Sequence, residues 1–259
     1  MAGVSSCSPS NEPENAHIPV IVTNRSETYA VSTSAGHRPR TLHLCSANAE
    51  STSTRMPNLL VTNVRSLPAK VDELSCICHE ESIGIACITE TWLHNDISDN
   101  EINMQGYLTY RRDRSDGRRC GGVLFYVRND IPCTILKSAQ SPDVESLWLL
   151  YRANQMPRNV SHILIGLIYH PPDANSKTTV AHIIISRLDN TTQLHPHMGI
   201  ILVGDFNQMR DSVILSYPLK QVVTRPTRRN NILDKIYTNI NQYYNEPSPL
   251  PQLVALTIT

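Results

Sequence analysis

With 259 residues, 23 basic and 23 acidic side chains, the chain is long enough for one large domain or a domain with a tail. Its balanced charge excludes a global attraction to nucleic acid, so any such contact must come from local patches. No basic-then-apolar leader is present and no apolar run reaches the ~18 residues of a membrane span, which predicts a soluble, intracellular protein with no membrane partner.

Residues 1–56 are rich in Ser, Thr, Asn, Pro and Ala, show no periodicity, and are expected to be a disordered tail. From 57 the texture changes, and 57–253 reads as one domain. Leu59–Val64 is an apolar strand, and Pro68 stands where a helix can start. Val71, Leu74, Cys78 and Ser82, with Ile77 beside them, give that helix one apolar stripe. Ile83–Ile88 is a second buried strand, running into Thr89-Glu90-Thr91-Trp92. Five β-rich runs follow, Tyr107–Arg112, Gly122–Val127, Cys133–Leu136, Val144–Tyr151 and Ile163–Tyr169, separated by Gly, Asn-Asp and Pro-Asp punctuation. Residues 176–194 carry Val180, Ile183, Ile184 and Leu188 at helical spacing. The chain then reads Ile200-Ile-Leu-Val-Gly-Asp-Phe-Asn207, Gln221–Thr224 and Ile232–Tyr237. Helices between some strands and hairpins between others predict an α/β (α+β) fold of two face-packed sheets with helices outside. Seven cysteines without a regular framework suit reduced thiols.

Several strands finish in groups suited to phosphate chemistry: Asn63, Glu90, Tyr169, Asp205, Asn207 and Asp234. In an extended segment Asp205 and Asn207 would share a face. A carboxylate there can position and deprotonate water while a neutral amide holds a phosphate oxygen. An Asx turn is the competing local reading, since Asp and Asn favour it.

Asn63, Thr89-Glu90-Thr91-Trp92-Leu93, Gly121-Gly122-Val123, Tyr169-His170-Pro171-Pro172, Gly204-Asp205-Phe206-Asn207 and Leu233-Asp234 occur in an order that resembles the endonuclease/exonuclease/phosphatase superfamily. The Thr-Glu-Thr-Trp-Leu block and the basic 111–119 loop look like the apurinic-type endonucleases of LINE-class (non-LTR) retrotransposons. That resemblance implies a four-layer α/β/β/α sandwich of two packed mixed sheets. It implies Mg²⁺ (Mn²⁺ as an alternative) on Glu90 with Asn63, and no small-molecule cofactor. It gives Asp205 the attacking water, Asn207 and Tyr169 the phosphate, and Asp234 the orientation of a histidine. It also implies duplex DNA as partner and a nuclear location; oligomeric state is not implied.

The family's terminal Ser-Asp-His block is not found after Asp234. The chain reads Val254-Ala-Leu-Thr-Ile-Thr259 instead, so 254–259 is expected to be aberrant, the last strand missing and the enzyme disabled. One permitted codon spelling of these residues, shifted by one base, encodes Arg-Ser-Asp-His-Asn, which points to a frameshift. His170 would face away from the site, and His195 and His197 precede the Asp205 strand at its other end. Arg111, Arg112, Arg114, Arg118 and Arg119 form one basic cluster and Arg225, Arg228 and Arg229 another; both are expected to contact the DNA backbone. The alternatives are a phosphatase-type member of the superfamily and a non-catalytic, DNA-binding or inert retrotransposon remnant.

Overall fold

The computed structural model describes residues 19–24, 56–114, 120–137, 144–152, 156–172, 177–195, 197–207, 209 and 211–250. Two β-α-β units organise the chain. β2 (Asn58–Asn63), α1 (Val71–Glu80) and β3 (Ile83–Thr89) form the first, and β8 (Ile163–Tyr169), α2 (Lys177–Leu194) and β9 (Gly199–Asp205) the second. In each unit the strands pair in parallel, as a helical crossover requires. The remaining strands are β1 (Val20–Val22), β4 (Tyr107–Arg112), β5 (Val123–Arg128), β6 (Cys133–Ile135), β7 (Glu145–Tyr151), β10 (Lys220–Gln221), β11 (Asp234–Thr238) and β12 (Ser248–Pro249); α3 (Ser212–Leu215) is a single turn.

The sheets run β12-β1-β2-β3-β5-β4 and β6-β7-β8-β9-β11-β10. Read in these directions they share one order of pairings: two antiparallel, one parallel, two antiparallel. Valine, isoleucine and leucine at alternate positions let each central strand bury both faces. Leu59, Val61, Ile165, Leu167, Ile201 and Val203 fill the space between the sheets. Leu60, Ala86 and Ile88 pack under Val71, Leu74 and Cys78 of α1, while Leu164, Ile168 and Leu202 pack under Val180, Ala181, Ile184 and Leu188 of α2. The layers are therefore α/β/β/α, as expected. No described helix is long and apolar enough to cross a membrane.

Three details depart from the sequence reading. Val20–Val22 lies inside the segment expected to be disordered, yet it pairs with β2 on one side and β12 on the other. Three consecutive β-branched residues explain this, because Val20 and Val22 face the inter-sheet core and Ile21 the α1 layer. Ser82 falls outside α1, in a left-handed turn with φ 50°. Cys120 is disulfide-bonded, against the expectation of reduced thiols, whereas Cys76, Cys78, Cys87 and Cys133 are free as expected. Residues 251–259, the 254–259 end among them, lie outside the described part.

Candidate active site

The stripe of each strand that faces the inter-sheet core changes from apolar to polar at one rim. On β8 the series Ile163, Ile165, Leu167 ends in Tyr169, and on β9 Ile201, Val203 ends in Asp205. β11 and β7 run the other way, so their first residues, Asp234 and Glu145, stand at the same rim. Register aligns them: Glu145 pairs with Tyr169, Tyr169 with Asp205, and Asp205 with Asp234. Neighbouring strands lie about 4.8 Å apart, so this is a continuous polar row across four strands. In the other sheet Leu59 and Val61 on β2 lead to Asn63 at the facing rim.

Asn63 joins the two rims. Its Nδ2 donates to Glu90 Oε1 at 3.0 Å and to Asp205 Oδ2 at 2.8 Å. The Tyr169 hydroxyl donates to the same Glu90 oxygen at 3.2 Å, and Trp92 Nε1 donates to Glu90 Oε2 at 3.2 Å. Burial, then the charges of Glu90 and Asp205, hold the Tyr169 phenol far above its ordinary pKa, so it stays a donor. Asn63, Tyr169, Asp205, Asn207 and Asp234 are all buried.

Glu90 is positioned by a strained turn rather than by a strand. Glu90 and Trp92 both have positive φ, 52° and 54°. The turn is clamped by the Trp92 N–H on the Gly121 carbonyl (2.9 Å) and the Ser66 N–H on the Glu90 carbonyl (3.0 Å). Gly122, at φ 86°, lies so close to Thr91 that a Cβ would meet its Oγ1 at 2.5 Å. Left-handed non-glycine residues cost roughly 1–3 kcal/mol each and persist only where surroundings fix them.

Asp205 and Asn207 do not share an extended face. β9 ends at Asp205, Asn207 turns to φ 43°, and Asp205 Oδ1 accepts the Asn207 N–H at 2.9 Å. The Asx-turn reading therefore holds locally, because Gly204 and the turn rotate the chain out of the strand. The Asn207 amide donates to the His170 carbonyl at 2.8 Å, which ties it to the end of β8. Asp234 lies beside Asp205, and its N–H donates to Thr227 Oγ1 at 3.1 Å.

The first arginine cluster is largely committed inside the protein. Arg111 bonds Asp113, Asp99 and the His94 carbonyl; Arg112 bonds the Val144 and Ser146 carbonyls at 2.9 and 3.1 Å. Arg114 pairs with Glu145 at 2.7 Å, and Glu145 in turn accepts the Gly122 N–H at 2.8 Å. Arg112 and Arg114 thus reach the start of β7 in the other sheet, a geometry that a charge count cannot reveal. Arg118 and Arg119 lie outside the described residues. Arg225 and Arg229 are exposed on the β10–β11 connection, with Arg228 half-buried. Buried Thr227 anchors that connection against Leu233 and Asp234 at the rim.

Glu145, Trp92, Thr91 and Thr227 were not picked out from sequence. The Thr-Glu-Thr-Trp motif contained two of them, but nothing marked Glu145 or Thr227 before register was known. Among the described residues no three His, Cys, Asp or Glu side chains form a metal cage. The donor set nevertheless suits a hard divalent cation. Asn63 Oδ1 is buried without a hydrogen-bond partner, next to the Glu90 and Asp205 carboxylates. Mg²⁺ favours such oxygen sites with one or two carboxylates and waters.

No family model and no curated protein matches the sequence. Solved structures do match it. The AP endonuclease LMAP from Leishmania major aligns at TM-score 0.56 and 12% identity over 84% of this chain and 88% of that one. The endonuclease domain of TRAS1, a telomere-specific non-LTR retrotransposon, aligns at 0.52 and 14% over 71% and 84%. An endonuclease/exonuclease/phosphatase from Bacteroides vulgatus aligns at 0.51 and 14% over 69% and 85%. At such identities the likeness speaks to architecture: this chain has the endonuclease/exonuclease/phosphatase-type fold.

Proposed function

We propose that the chain is a nuclease-type phosphodiesterase acting on duplex DNA with Mg²⁺, or Mn²⁺ in its place. The observation that carries this is the Asn63 amide, which ties Glu90 to Asp205 while leaving its own oxygen unpartnered. Glu90 and Asn63 would hold the cation. When bound, it supplies positive charge against the charge that develops on the phosphate and leaving oxygen.

The protein's own groups do the rest. Asp205 accepts a proton from the attacking water and aims it along the axis of displacement. Its Oδ1 is fixed by the Asn207 N–H and its Oδ2 by Asn63, so the carboxylate is held before substrate arrives. The Tyr169 hydroxyl donates to a phosphate oxygen, exchanging its contact with Glu90 for one to substrate. Asn207 offers a neutral amide at the end of the row. Asp234, the strand neighbour of Asp205, stands in the place of the family's histidine-orienting carboxylate. Arg225, Arg228 and Arg229 approach the backbone from the β10–β11 connection, and Arg118 and Arg119 are assigned the same role from sequence; Arg111, Arg112 and Arg114 brace the rim.

Any nicking of supercoiled plasmid should require Mg²⁺, stop on addition of a chelator and be weak, since the family's terminal Ser-Asp-His block is not found after Asp234, with little release of phosphate from simple monoesters. Monoester hydrolysis without nicking would favour the phosphatase reading. DNA binding with no cleavage in Mg²⁺ or Mn²⁺ would favour the remnant. The proposal includes action in the nucleus, where a duplex substrate is found.

A further inference from the structure

A short stretch after β2 touches both groups that the first sheet brings to the rim. Beyond Asn63 the chain passes through Val64, Arg65 and Ser66, then makes a single 3-10 turn, Pro68–Lys70, ahead of α1. The Val64 N–H donates to the Thr89 carbonyl at 3.1 Å, the Ser66 N–H to the Glu90 carbonyl at 3.0 Å and the Leu67 N–H to the Thr91 carbonyl at 3.0 Å. The stretch is thus covalently joined to Asn63 and hydrogen-bonded along the turn that carries Glu90. Two of its residues stand in the left-handed region, Arg65 at φ 43° and Ser66 at φ 81°, which persists only where surroundings fix it.

Lys70 supplies that fixing contact. Buried Leu67 anchors the stretch in the α1 layer, and Pro68 presets the backbone of the 3-10 turn. The Lys70 N–H closes the turn on the Leu67 carbonyl at 2.8 Å. Its side chain then folds back, and the ammonium donates to the Val64 carbonyl and, at 3.4 Å, to the Arg65 carbonyl. These carbonyls belong to the two peptide units that flank Arg65, where the left-handed turn begins. A charged donor makes a stronger hydrogen bond than a neutral one. An ordinary surface lysine extends its ammonium into water, whereas half-buried Lys70 turns it onto the backbone. Burial accordingly lowers its pKa, with Glu73 opposing that shift and Arg65 adding to it.

We propose that Lys70 is a positioning residue: its ammonium locks the 64–66 turn, and so sets Asn63 and the Glu90 backbone in place before a cation arrives. The consequence for cation binding rests on the proposed function; the hold on Asn63 does not.

Two measurements on the full chain test this. In the metal-free protein, the side-chain amide NMR signal of Asn63, assigned by its loss in N63A, should shift in K70M and stay in place in K70R. K70Q, which keeps one neutral donor, should give a smaller shift and carries the same reading should K70M fail to fold. Mn²⁺ affinity, read from the EPR signal of the free ion, should fall by about 10-fold or more in K70M, as for loss of a group that orients a metal ligand. The control K220M, at an exposed lysine of β10, should change neither readout. An Asn63 signal unmoved in both K70M and K70Q overturns the proposal, as does one moved as far in K70R as in K70M. A wild-type protein that binds no Mn²⁺, with the Asn63 signal still shifted in K70M, keeps the positioning role and rejects the proposed function.

Discussion

The two sheets repeat one order of strand pairings, yet they build their halves of the rim by different means. In the second sheet the polar rim groups are strand residues, and register alone places Glu145, Tyr169, Asp205 and Asp234 in a row. In the first sheet Asn63 is a strand residue, but Glu90 stands on a left-handed turn clamped by Gly121, Gly122 and Ser66. A carboxylate fixed by register shares the stability of the core below it. One fixed by a strained turn depends on a few local contacts, and so can move without unfolding the sheet.

Two glycines separate these cases most sharply. A Cβ at Gly204 would lie 1.9 Å from the Ile168 carbonyl oxygen, in the neighbouring strand's backbone, at φ 133°. Since β8 cannot yield, G204A should destabilise by about 3 kcal/mol or more and lower solubility. Chemical denaturation that shows a loss below ~1 kcal/mol would mean the row is softer than register implies. At Gly122 the obstacle is the Thr91 hydroxyl, a side chain that can rotate. G122A should therefore cost only about 1–2 kcal/mol, mostly left-handed strain. It should lower nicking more than stability, by displacing the Glu90 turn. Equal stability losses in the two variants would erase the distinction between the sheets.

The smallest effect concerns the two arginine clusters. R225A removes an exposed charge, so stability should hold while the salt dependence of DNA binding falls by about one unit of slope. An unchanged slope would take the β10–β11 connection out of the proposed DNA interface.

Much of this was legible in the sequence because alternation in strands and 3.6-residue spacing in helices report burial directly. Ile163–Tyr169 was read with both ends correct, and Lys177–Leu194 to within one residue. The polar strand ends were legible for the same reason: Tyr169 and Asp205 interrupt long apolar stripes. Long-range pairing was not. Val20–Val22 is only three residues in a polar context, and its order comes from β2 and β12, far along the chain. Glu145 is an ordinary acid until register sets it opposite Tyr169. Arg111, Arg112 and Arg114 looked like a DNA-binding run, although their partners include Asp99, Val144 and Glu145, which sequence proximity does not bring together. The Asx turn at Asp205 shows a local preference prevailing once the strand ends.

The central claim is that strand ends from both sheets meet around one divalent ion. Diffraction from a crystal soaked in Mn²⁺, read at the manganese edge, tests it most directly. The account predicts an anomalous peak about 2.1–2.3 Å from a Glu90 carboxylate oxygen and from Asn63 Oδ1. That peak should vanish in an E90Q variant. A peak elsewhere on the molecule, or none in a well-ordered crystal with Glu90 and Asn63 still in contact, would contradict it.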